Sequence, residues 1–109
     1  MLSFNTTDPS GLLAAIYSAI DKKHIETWSY DDKGDFTHSV SQWRFQAWMR
    51  PFKAKTALNL GIIGRADRGL TKEVYGIYHG RFNEMMLVHF DEQFTSSLTS
   101  ALRDMLDNF

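Results

Sequence analysis

The sequence predicts an α+β domain built as an N-terminal helix, an antiparallel meander of four or five strands and a C-terminal helix, with both helices on one sheet face. Three observations carry that expectation. Leu58, Leu60 and Ile62 recur at a spacing of two between Ala57 and Arg65, so an extended chain places them on one face. Asp8-Pro9 precedes a run in which Leu12, Ile16, Ala19 and Ile20 share a helical face. Near the end, Phe94, Leu98, Ala101, Leu102, Met105 and Phe109 trace a single helical stripe.

Each element has a local reason. Residues 1 to 7 read as a short polar lead-in. Asp8 accepts from the free amides of a first turn and Pro9 loses no bond at the first helical position, so the first helix should run from about Pro9 to Lys23. Lys22, Lys23 and His24 then complement the negative end of its dipole. Ile25 to Tyr30 reads as a strand, Asp31 to Asp35 as a turn and Phe36 to Val40 as the returning strand. Ser41 to Phe52 admits two readings, a strand through Trp43, Phe45, Ala47 and Met49 or two helical turns stopped by Pro51; the longer period-two match favours the strand.

From Thr56 to Phe90 the chain reads as consecutive strands. Val74, Tyr75, Ile77 and Tyr78 form a β-branched and aromatic run, Gly80 to Asn83 a turn, and Met85 to Phe90 a third apolar run. Asp91 then caps the last helix, in which Thr95, Ser96, Ser97, Thr99 and Ser100 are poor helix formers that make it depend on docking.

A chain of 109 residues without repeats or linkers is read as one domain spanning residues 1–109. The absence of cysteine excludes disulfides, thiolate zinc sites and cysteine catalysis. The apolar run Leu12 to Ile20 is too short for a membrane span and has no preceding Lys or Arg, so a cytoplasmic protein without membrane contact is expected.

The net charge of −1 hides a division. Residues 1–35 hold six acids and three bases, 36–72 one acid and seven bases, and 73–109 six acids and two bases. In the basic middle, Arg44, Arg50, Lys53, Lys55, Arg65, Arg68 and Lys72 interleave with Trp43, Phe45, Trp48 and Phe52, a mixture that suits single-stranded nucleic acid. A solvated sheet face, with cation stems covering the aromatics, produces the same pattern, and the slightly negative total favours that explanation.

The motifs are sparse. Gly61-Ile62-Ile63-Gly64-Arg65 resembles the GxxG loop of KH RNA-binding domains, but it lies inside a strand-like alternation with no helix pattern after it. Strand glycines opposite bulky aromatics account for Gly61, Gly64 and Gly76. His24-Glu26 and His89-Asp91 have spacings that put both side chains of each pair on one strand face, yet no closely specified metal set accompanies them. The best acid/base set is His79, Glu84 and His89 with Tyr75 or Tyr78, and it depends on the register after Gly80.

Fifteen Phe, Trp and Tyr residues exceed what a core of this size requires. The order helix, strands, helix is similar at the level of fold to several dimeric bacterial binding domains, type III secretion chaperones among them, although those are expected to be more acidic. The expected function is therefore a non-enzymatic, homodimeric protein-interaction domain of adaptor or chaperone-like type, without cofactor or metal. Its binding residues are drawn from Trp43, Arg44, Trp48, Arg50, Phe52, Lys53, Lys55, Arg65 and Arg68. The alternative is binding of nucleic acid or another anion through segment 43–72.

Overall fold

A computed structural model describes residues 1–109. The elements in order are β1 (Leu2–Asn5), α1 (Pro9–Asp21), β2 (Trp28–Tyr30), β3 (Phe36–His38), β4 (Ala47–Lys53), β5 (Ala57–Gly64), α2 (Lys72–His89) and β6 (Ser96–Thr99). The strands form a six-stranded antiparallel sheet in the order β2-β3-β4-β5-β1-β6. The α+β class holds, but the chain enters as a strand, and the expected C-terminal helix is replaced by an edge strand and a strap of irregular chain.

The core lies on one face of the sheet. Leu2 and Phe4 of β1, Leu58, Leu60 and Ile62 of β5, Met49 of β4 and Phe36 of β3 are all fully buried. They meet Leu12 and Ile16 of α1 and Tyr78, Phe82, Met85 and Met86 of α2. Phe82 is the hinge of this packing, with its ring 6.2 Å from Phe4, 4.9 Å from Trp28 and 5.4 Å from Phe36. Both helices therefore cover one sheet face, and the second of them is α2, not a C-terminal helix.

Three expectations are corrected. The supposed polar lead-in is β1, paired with β5 from Leu2↔Leu60 to Asn5↔Ala57, because Leu2 and Phe4 alternate with polar residues and fill the centre of the sheet. The supposed strands at Val74–Tyr78 and Met85–Phe90 are parts of one helix, capped by Thr71, whose hydroxyl accepts from the Val74 amide at 3.1 Å. Tyr78, Phe82, Met85 and Met86 fall on a helical stripe, and their burial outweighs the strand propensity of Val74, Tyr75 and Ile77. In the C-terminal segment the Ser/Thr run prevails over the apolar stripe: Ser96–Thr99 adds to β1 as β6, and Leu102 and Met105 are 82% and 92% exposed. The fold-level likeness to secretion chaperones, which rested on a helix at each end, falls with this correction.

The remaining elements follow the sequence closely. Asp8 accepts from the Gly11 amide at 3.0 Å with Pro9 at the helix start. The end of α1 comes at Asp21, two residues early, because Lys23 adopts a left-handed conformation (φ 62°) and the His24 amide turns back to Ala19 O. Residues 41–45 form a turn and β4 is a strand, paired with β5 from Ala47↔Gly64 to Lys53↔Leu58. β3 pairs with β4 only at Phe36↔Met49, so Pro51 stands where β4 has become an edge strand, the place in a sheet where proline is tolerated.

The last residues strap the sheet. Beyond the start of β1, Asn108 takes over the edge of β5: its amide donates to Ile62 O at 2.9 Å and its carbonyl accepts from the Gly64 amide at 2.8 Å. Leu106 O passes so close above Gly61 that a Cβ there would lie 2.0 Å away, so the absence of a side chain at Gly61 is set by this backbone and not by an opposing aromatic. The buried Asp107 carboxylate accepts from the Ile62 amide at 2.9 Å and the Asp104 amide at 2.7 Å and lies 3.2 Å from the Met1 amino group.

Candidate functional site on the open face of the sheet

The other face of the sheet carries no helix, and only the strap at Leu106 crosses it, above Gly61. Met49 and Ile62 point into the core, so their neighbours Trp48, Arg50 and Phe52 on β4 and Asn59 and Ile63 on β5 point the other way. Register places Trp48 beside Ile63, Phe52 beside Asn59, and Ser3 between Asn59 and Leu98. Trp48, Phe52 and Ile63 are half-buried, and Leu98 is 62% exposed.

Phe45 extends this strip. Its ring lies 6.5 Å from that of Trp48, nearly parallel, with the Arg44 guanidinium 4.7 Å above it, and it is 50% exposed. It adopts a positive φ of 60°, a conformation costing an aromatic residue roughly 1–2 kcal/mol. The turn is over-determined: the Thr37 hydroxyl accepts from the Phe45 amide at 3.1 Å and donates to Ala47 O at 3.0 Å, while the Tyr78 hydroxyl donates to Trp43 O. The fold thus stores strain to hold an exposed aromatic ring next to Trp48.

The expected binding residues divide into groups. Trp48, Arg50 and Phe52 share the open face, and Arg44 stands at its border. Trp43 packs against the core instead, and Lys53 and Lys55 are exposed at the β4–β5 turn. Arg65 and Arg68 lie beyond β5, where Arg65 forms a two-pronged pair with Asp67, Nε and Nη2 each 2.8 Å from an oxygen. That pair holds the Asp67 carboxyl below its ordinary range. Arg50 is also taken: Nη2 is 2.8 Å and Nε 3.1 Å from the carboxylate of Asp35, whose side chain is 5% exposed. The pair holds the Arg50 guanidinium even more firmly in its charged form. Two of the cations expected to meet a ligand therefore neutralise acids of the same chain.

The histidines expected to meet, His79 and His89, stand apart. His79 is buried beside Tyr75, ring centroids 3.9 Å apart, with Nδ1 donating to Tyr75 O at 2.8 Å. His89 sits ten residues further along α2, about 15 Å at helical rise, so the two do not meet. Glu84 and His89 instead line a cleft of about 250 Å³ with His38, Arg81 and Trp28, a site the strand reading of this region concealed. There His38 Nδ1 donates to Thr27 O at 2.6 Å, and Arg81 Nη1 lies 3.5 Å from His38 Nε2. No three histidines or carboxylates converge to hold a metal. Gly61 and Gly64 lie inside β5, not in a loop between helices as a KH motif requires.

The fold and this face define an α+β chain with an aromatic sheet surface that no helix covers. Searches of family models, curated proteins and solved structures found no significant match to it. No helix is long and apolar enough to cross a membrane.

Proposed function

We propose that the protein is a non-enzymatic interaction domain that pairs with a second copy of itself through the open sheet face. The observation that carries this reading is the strip formed by Phe45, Trp48, Phe52, Ile63 and Leu98 on a sheet side that no helix covers. Strands of three to eight residues at about 4.8 Å spacing present roughly 500 Å² per copy, so two copies bury about 1,000 Å², the lower limit for a specific interface. The strand register also sets the acidic turn Asp31-Asp32 and the basic turn around Lys53 and Lys55 at the same end of the sheet, opposite charges that a two-fold axis can bring together.

The alternative, an anionic polymer on segment 43–72, retains Arg44, Lys53, Lys55 and Arg68 but must compete with Asp35 and Asp67 for Arg50 and Arg65. Sedimentation of Trp48→Lys and Phe52→Ala separates the two readings. Self-association should weaken at least about tenfold in each variant, with far-ultraviolet circular dichroism unchanged. Unaltered self-association together with oligonucleotide binding that falls steeply with salt would favour the alternative.

A further inference from the structure

A second surface, away from the open face, has the shape and chemistry of a small-molecule site. Between the start of α2 and the C-terminal strap lies a cavity of about 700 Å³, within the range of ligand pockets. Its walls are Leu70, Tyr75, Leu102 and Phe109, and its charged side chains are those of Lys72 and Arg103. We propose that this cavity binds a small amphipathic acid, with an apolar body against those walls and one carboxylate between Lys72 and Arg103.

The polar groups on the walls that could otherwise hold a ligand are engaged. The Tyr75 hydroxyl donates to Ser100 O at 2.6 Å and accepts from the Met1 amino group at 3.0 Å, and the Thr71 hydroxyl caps Val74. Lys72 and Arg103 have no such commitment. Neither belongs to an ion pair, whereas Arg50 and Arg65 both do, and no acidic side chain lines the cavity. The Arg103 guanidinium lies 5.6 Å over the Phe109 ring, which keeps the cation beside the apolar wall. Leu102, 82% exposed, and Phe109, 40% exposed, are the apolar surface that the body of the ligand removes from water. An anion head at the rim with an apolar chain inside satisfies both features, whereas a neutral or cationic amphiphile leaves the two cations unanswered.

The probe is sodium decanoate below its micelle concentration, titrated into the full chain and followed by amide chemical shifts and calorimetry. Saturable shifts should centre on Leu70, Tyr75, Leu102 and Phe109. Decanol should bind at least about tenfold more weakly, and Lys72→Gln and Arg103→Gln should each weaken decanoate by about tenfold. Both side chains are exposed and unpaired, so the variants should fold as the parent does. Absence of saturable binding, equal affinity for decanol and decanoate, unchanged affinity in both variants, or shifts centred on Trp48 and Phe52 would each overturn the proposal. The outcome is independent of self-association, which is read separately by mass.

Discussion

His79 is a base that the fold prevents from acting as one at neutral pH. Its Nδ1–H is satisfied by Tyr75 O, its Nε2 has no partner, and burial pushes its pKa down to about 4. The unfolded chain takes up this proton near pH 6.5 and the folded one does not until about pH 4, so stability falls as pH drops through that window. Between pH 7 and pH 5 this group alone should remove about 2 kcal/mol, and His79→Phe should flatten the urea-unfolding profile by that amount. An unchanged acid slope in the variant would show that other groups set it. Arg50 makes the complementary case, since removing it strands a buried carboxylate. Arg50→Gln should cost about 1–2 kcal/mol, less than for a fully buried pair because the guanidinium is 38% exposed, and the loss should shrink when Asp35→Asn is added. Arg50 could be singled out from the sequence, but its partner could not, because Asp35 reaches it only through the β3–β4 pairing at Phe36↔Met49.

At the scale of elements, legibility followed whether local pattern and tertiary burial agreed. The hairpin of β4 and β5 was readable because period-two alternation and burial coincide at Leu58, Leu60 and Ile62. Asp8-Pro9 announced α1 through capping chemistry that needs no distant partner. In α2 the two signals conflict: Val74, Tyr75 and Ile77 favour strand, and Gly76 and Gly80 interrupt the helix, while Tyr78, Phe82, Met85 and Met86 belong to a helical face that only the core of Trp28, Phe36 and Phe4 rewards. Both glycines are exposed, and nothing lies within 4 Å of where a Cβ would stand. Gly76→Ala and Gly80→Ala should therefore each raise stability by about 0.5–1 kcal/mol, measured by thermal or urea unfolding. A loss of stability would mean that something packs against that side of α2. β1 and β6 were missed for the opposite reason, because four-residue strands carry little pattern and gain their order from β5 and from each other.

At the scale of the whole molecule, two helices serve one side of a six-stranded sheet and leave the other to water or a partner. The candidate site was half legible. Trp48, Phe52 and Arg44 were recognisable from composition, but which aromatics share a face depended on a register that also sends Trp43 into the core and adds Ile63 and Leu98. The excess of aromatic residues is partly absorbed by the cluster around Phe82, and of those that remain outside, Phe45, Trp48 and Phe52 lie on or beside the face without a helix, while Phe109 lines the cavity at the start of α2. Self-association through that face is the central claim, and the most direct measurement is the mass of the wild-type chain by light scattering at low and high salt. A species of twice 12.6 kDa is expected at both salts, because the contact is chiefly apolar. A monomer at both salts and at concentrations up to about 100 μM would contradict it.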